Sequence, residues 1–188
     1  MTARERLLDL FVQRSFRLGD FTLASGRKSD FYIDCRTTTM HAEGQALLGK
    51  VGCDYLAEAG WQPDLVGGLT MGADPIAYAI AGESFRRGEP IHAFSVRKRV
   101  KQHGTGRQIE GCFESGASVV VVEDVITTGG SALQACESIT AEQGSIVGIL
   151  ATVDREEGGR EAIVEAGFKV ISMFGIGELR QRAAQLTR

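Results

Sequence analysis

The stretch from Val119 to Leu133, VVVVEDVITTGGSAL, sets two adjacent carboxylates, Glu123 and Asp124, directly ahead of a turn made of threonine and glycine. Backbone amides in a glycine-rich turn that opens a helix form a concave positive site, and the hydroxyls of Thr127, Thr128 and Ser131 add donors to it. A phosphate monoester fits such a site. Two carboxylates beside it repel phosphate, however, unless they bind another part of the same ligand, such as sugar hydroxyls or a magnesium-associated group. A sugar phosphate meets both demands. The competing reading is an ordinary strand-to-helix loop with Ser131 as the helix N-cap.

A second cluster lies in SVRKRVKQHGTGRQIEG, where Arg97, Lys98, Arg99, Lys101, His103 and Arg107 are interspersed with Gly104, Gly106 and Gly111. Such a loop attracts phosphate and has the glycines to close over a ligand. Taken alone, such a charge run is more often a solvated face, and a nucleic-acid patch is a further option. A third candidate is Arg155 in LATVDREEGG, a planar guanidinium able to grip a carboxylate with two parallel hydrogen bonds. Its plainer reading is a surface arginine paired with Asp154 or Glu156.

These groups need a scaffold that brings them together. Thr2 and Glu5 form a capping box for an amphipathic helix in TARERLLDLFVQRSF, with Leu7, Leu8, Phe11 and Val12 on one face. FTL and FYI flank ASGRKSD as a β-hairpin with a polar tip, and EGQALLGKVGCDYLAEAG reads as a second helix closed at Gly60. Beyond it, short apolar runs alternate with helical patterns: DLVGGL, DPIAYAIAGESFRR, IHAFSV, SVVVVED, SALQACESITAEQG, IVGILATVDR and KVISMFGI. That alternation predicts an α/β fold with a mostly parallel central sheet flanked by helices on both faces. In such a sheet the ligand crevice lies outside the carboxyl ends of the strands, where Gly68, Arg97, Glu123 and Arg155 all fall.

The 188 residues, 43% apolar and 24% charged, suit one globular domain. A net charge of −3 argues against non-specific nucleic-acid binding, and no apolar run approaches a membrane span. Cys35, Cys53, Cys112 and Cys136 are widely spaced with no CxxC pair, and no signal peptide opens the chain, so a reducing, cytoplasmic setting is expected.

VVVVEDVITTGGSAL resembles the phosphoribosyl-pyrophosphate (PRPP) motif of the type I phosphoribosyltransferases. The spacing of Arg97-Lys98, Lys101 and His103-Gly104 resembles the catalytic loop of the orotate-specific branch of that family. FTLASGRKSDFYID is similar to that branch's N-terminal hairpin, GGLTMGADPIA to its pyrophosphate-side loop, and the Asp154-Arg155 pair to the arginine that faces orotate. The resemblance implies a type I phosphoribosyltransferase fold over residues 1–188, with about residues 1–40 and the C-terminal end forming a small hood over the base. It implies an enzyme of pyrimidine biosynthesis that transfers the phosphoribosyl group of PRPP to orotate. Carried over residue by residue, Lys101, His103 and Asp124 are catalytic. PRPP is bound by Arg97, Lys98, Lys101, His103, Glu123, Asp124, Val125, Ile126, Thr127, Thr128, Gly129, Gly130 and Ser131. Orotate is bound by Thr127, Arg155, Lys28, Phe31 and Tyr32. Mg2+ is carried by PRPP rather than held by a protein cage, and the partner is a second copy of the chain in a homodimer with shared active sites, with no nucleic acid and no membrane. The chain departs from the family pattern at Ala24 and around Met71 and Gly72, where relatives can have lysine, and at Glu123, where the first acid is longer than Asp; Lys28 or Arg27 could supply charge near Ala24, and Asp74 could bind metal-associated water.

Overall fold

A computed structural model of the chain describes residues 1–22, 26, 28–99 and 108–186. Helix α1 (Ala3–Arg14) opens with the expected capping box: Glu5 N–H donates to Thr2 Oγ1 at 3.1 Å and Thr2 N–H donates to Glu5 Oε2 at 2.6 Å. The helix stops at Arg14, short of the predicted end, because Phe16 already begins an antiparallel ribbon of β1 (Phe16–Thr22) and β2 (Lys28–Ile33). Pairing that reaches Phe16 opposite Ile33 makes the first arm longer than the predicted FTL, and a bulge interrupts it between Leu18 and Phe21. This ribbon is a sheet of its own, separate from the central one.

A short helical turn, α2 (Arg36–Thr39), leads into α3 (Ala42–Glu58), and Gly60 follows in the left-handed region at φ +68°, as its C-terminal glycine suggests. The remaining elements alternate: β3 (Leu65–Leu69), α4 (Asp74–Arg86), β4 (His92–Val96), β5 (Ile109–Gly111), β6 (Ser118–Ile126), α5 (Gly130–Ala141), β7 (Ser145–Asp154), α6 (Gly159–Glu165), β8 (Val170–Gly175) and α7 (Ile176–Leu186). The short β5, α6 and α7 carry weaker patterns and do not stand out in the sequence.

The central sheet has the order β5-β4-β3-β6-β7-β8, parallel throughout except for β5, which runs antiparallel to β4 at one edge. Alternate valines of β6 serve opposite faces. Val120 and Val122 join a core with Phe11, Leu48, Ile76 and Leu179, from α1, α3, α4 and α7, whereas Val119 and Val121 pack with Ala135, Ile139 and Ile163 of α5 and α6. Both faces of the strand are therefore covered, which explains why its apolar run is continuous. Among the described residues no helix is long and apolar enough to cross a membrane.

Candidate active site

The strand order fixes where a ligand can sit. From β3 the chain moves outward to β4, then returns to the other side of β3 as β6 and continues to β7 and β8. The loops leaving β3 and β6 thus diverge, and a crevice opens at their carboxyl ends. A cleft of about 400 Å³ lies there, lined by Tyr32, Thr70, Gly72, Lys98, Asp124 and Ser131 among others. A larger cavity, of about 470 Å³, sits at the opposite end of the sheet, against Trp61, Pro63 and Ile91. The arginine in its lining, Arg87, is already held by Glu83, Asp54 and the Lys50 carbonyl, so the chemistry belongs to the first cleft.

Glu123 and Asp124 end up in different environments. Glu123 is buried on β6, and burial, reinforced by the adjacent Asp124, raises its pKa far above the ordinary carboxylate range. A carboxyl pushed toward its neutral form conflicts less with a phosphate beside it. Asp124 faces the cleft, where its Oδ1 accepts from the Val125 N–H at 2.9 Å. Its main-chain carbonyl accepts from the buried Cys35 thiol, with a sulfur–oxygen distance of 3.7 Å. Gly72 lies against the carboxylate so closely that a β-carbon there would stand 2.6 Å from Asp124 Cγ. That contact joins the loop after β3 to the acids of β6, and no local pattern in the sequence announces it.

The turn after β6 leads directly into α5. Gly129 is the N-cap of α5, at φ +80°, and no side chain caps the helix. Ser131 is therefore not the cap that the ordinary-loop reading assigned to it, and Thr127, Thr128, Gly130 and Ser131 are exposed. The amides of the first helical turn therefore remain available. A β-carbon at Gly129 would stand 2.8 Å from the Gly159 carbonyl oxygen, so the close seating of α6 behind the turn also requires glycine.

On the basic side, Lys98 lines the cleft, and its carbonyl accepts from Gln134 Nε2 of α5 at 3.2 Å. Arg97 is drawn to the β4–β5 edge, where its Nε donates to Glu110 Oε1 at 3.0 Å, and it does not line the cleft. Lys101 and His103, like Ala24 and Arg27 of the hairpin tip, lie outside the described residues. Asp74 begins α4 and accepts from Ser95 Oγ at 2.7 Å.

Arg155 follows β7 and is 8% exposed, which removes the reading of an ordinary surface residue. Its pairing partner is neither Asp154 nor Glu156 but Glu157, whose Oε1 accepts from Nε at 3.0 Å. Nη2 lies 2.8 Å from the same oxygen yet off the hydrogen-bonding angle, leaving a buried N–H group unsatisfied. The guanidinium carbon stands 4.6 Å from the centroid of the Phe31 ring, itself buried at 5% exposure. Lys28 and Phe31 line a groove of about 740 Å³ with Glu157, while Tyr32 reaches the first cleft and stacks on Phe21 with centroids 5.6 Å apart. The Lys28 ammonium donates to Thr22 Oγ1 at 2.8 Å.

The phosphoribosyl transferase domain family matches residues 53–177, spanning the crevice and both of its loops. An orotate phosphoribosyltransferase of Aquifex aeolicus is 46% identical over 182 residues, 95% of this chain and 98% of that protein. The chain belongs to the orotate phosphoribosyltransferases. Its architecture agrees: a crystal structure of Mycobacterium tuberculosis orotate phosphoribosyltransferase, determined with Fe(III) dicitrate, superimposes with a TM-score of 0.84 at 42% identity, covering 95% of this chain and 99% of that one. A structure of the M. tuberculosis protein in complex with PRPP gives a TM-score of 0.80 at 39% identity over 95% and 99% of the two chains. The type I phosphoribosyltransferase fold and the enzyme class expected from the sequence are thus borne out. The contacts of Gly72 with Asp124, of Glu157 with Arg155 and of Arg180 with Asp30 are supplied only by the folded chain.

Proposed function

We propose that the cleft transfers the 5-phosphoribosyl group of PRPP to orotate, giving orotidine 5'-monophosphate and pyrophosphate, a step of pyrimidine biosynthesis. The observation that carries this reading is the meeting, at the switch point of the sheet, of an uncapped glycine turn with the adjacent carboxyl groups of Glu123 and Asp124. Thr127 through Ser131 hold the 5'-phosphate with backbone amides and hydroxyls, supported by the backbone of Val125 and Ile126. Asp124 accepts from one ribose hydroxyl. A protonated Glu123 can both donate to and accept from another.

As the bond to pyrophosphate breaks, negative charge grows on the leaving oxygens and positive charge on the ribose ring. Arg97, Lys98, Lys101 and His103 serve the first need, and a single well-placed donor of this kind is worth about 3 kcal/mol. For Arg97 this requires release from Glu110. The Asp124 carboxylate serves the second need through its field. Orotate is met by Arg155, Thr127, Lys28, Phe31 and Tyr32, and the unsatisfied Nη2 of Arg155 suits the carboxylate of the base.

The Asp124 carboxylate, which lines the cleft with Asp34 and Glu123, suits Mg2+ that arrives with the diphosphate and keeps most of its water. When bound, Mg2+ neutralises charge on the departing pyrophosphate. A homodimer with shared sites and a hood formed by about residues 1–40 and the C-terminal end complete the proposal. The dimer is supported by exposed apolar side chains at Met71, Tyr78 and Phe85, the latter two seven residues apart on one face of α4. Four free cysteines support a reducing cytoplasmic setting. The test is the loss of orotate absorbance on adding PRPP and Mg2+ to the purified protein, with Lys101→Ala alongside. A PRPP-dependent signal that collapses in the variant supports the reading; PRPP binding without orotate turnover refutes it.

A further inference from the structure

The position of Arg155 depends on an element that is weakly anchored by its own contacts. Phe31, whose ring the Arg155 guanidinium covers, belongs to the isolated two-stranded ribbon, and a lone ribbon of this kind is marginal without packing from elsewhere. Within the ribbon, Phe16 of β1 sets its ring centroid 5.8 Å from that of Phe31, and both rings join the core with Leu7 and Phe11 of α1. Further packing arrives from the far end of the chain. Arg180 of α7 sets its guanidinium carbon 4.8 Å from the same Phe31 centroid and donates from Nη1 and Nη2 to the two Asp30 oxygens at 2.7 and 2.6 Å. One ring thus serves two guanidinium groups. Two cations against one aromatic ring repel each other unless each is neutralised, and here each has its own carboxylate: Glu157 for Arg155 and Asp30 for Arg180.

Helix α7 can act as a fixed post because it is tied to the body in three ways. Leu179 is fully buried, Arg4 donates from Nη1 to Glu178 Oε1 at 2.7 Å, and Arg182 donates from Nε to Asp9 Oδ1 at 2.5 Å. The path from α7 through Arg180, Asp30 and Phe31 to Arg155 is contiguous, and its members come from positions 150 residues apart.

We infer that Arg180 is a positioning residue of the base subsite: by gripping Asp30 and the Phe31 ring, it fixes the plane of the Arg155 guanidinium and so sets the preference for a carboxylated pyrimidine. This rests on the reading of Arg155 as the group that meets the orotate carboxylate. Arg180 itself touches neither substrate.

The test is steady-state kinetics of Arg180→Ala, Arg180→Lys and Arg155→Ala, with orotate and PRPP varied separately, plus a thermal melt of each. Loss of Arg180 should raise the KM for orotate about tenfold, the scale of a partly desolvated cation–π contact, with kcat and the KM for PRPP within about twofold of the parent. Arg180→Lys should recover part of the loss, because an ammonium keeps the charge but not the two-pronged grip on Asp30. An unchanged orotate KM in Arg180→Ala, with Arg155→Ala strongly impaired, overturns the inference alone. Equal rises in both KM values also overturn it, since they signify general loosening. An Arg155→Ala variant with parental orotate KM overturns the base-subsite reading on which the inference stands.

Discussion

Substituting Gly72 by alanine tests the site at its tightest contact. The new β-carbon would stand 2.6 Å from Asp124 Cγ and 2.7 Å from each carboxylate oxygen, well inside the 3.4 Å at which ordinary contact begins. The carboxylate must retreat by about 0.7 Å, and misplacement of a positioned group by about 1 Å can cost about 10²-fold in rate. The cost to folding is far smaller. Asp124 is the free end of a side chain, so it can move; what it gives up is the 2.9 Å bond to its own Val125 amide, worth about 1 kcal/mol. Gly72 does not occupy the left-handed region, so alanine also stabilises by about 0.4–1 kcal/mol through the unfolded chain, and the two effects nearly cancel. The expected outcome is an unchanged melting temperature with kcat/KM for PRPP down by about 10²-fold, a loss of roughly 2.7 kcal/mol of transition-state stabilisation. In an Asp124→Ala background the clash has no carboxylate to displace, so Gly72→Ala should add almost nothing there. Activity of Gly72→Ala within about threefold of the parent, or full additivity of the two substitutions, refutes the reasoning.

Two further outcomes follow from the same geometry. The pKa of Glu123 is raised in the folded state, so the native protein binds more protons than the unfolded chain between the ordinary value of 4.5 and the folded value near 9. Its stabilising contribution is present in full below pH 4.5 and declines as pH rises through that window, so melting curves of Glu123→Gln should lose this downward slope while the parent keeps it. If active sites are shared across a homodimer, mixing and re-pairing Lys101→Ala with Asp124→Ala should restore about a quarter of parental activity, because half the dimers are mixed and each has one intact site. No recovery after verified exchange would place loop and acids of each site in the same subunit.

The division between sequence and tertiary structure follows from the range of the forces involved. Local chemistry was legible: the Thr2–Glu5 box begins α1, the four valines make a strand covered on both faces, and the glycine turn after Asp124 opens α5. Alternation of strands and helices established the mostly parallel sheet, and with it the end at which the crevice would open. Elements governed by weak or brief patterns were not legible, including β5 with three residues, and α7, whose last exposed turns leave only Ile176 and Leu179 buried. Ionisation states and partners were decided by folding alone. Glu123 and Asp124 are chemically near-identical neighbours that both line the cleft, yet the fold buries Glu123 far more deeply, and that burial drives it toward its neutral form. Arg155 reads from the sequence as a candidate for the base, with a surface residue paired to Asp154 or Glu156 as the plainer alternative; the fold buries it against Phe31, and Arg180 meets that same ring from across the chain. Residue type and spacing specify which groups are available, because propensity and periodicity act over a few residues. Which of those groups share a charge, a ring or a contact is decided by tertiary packing, which joins positions that the sequence keeps far apart.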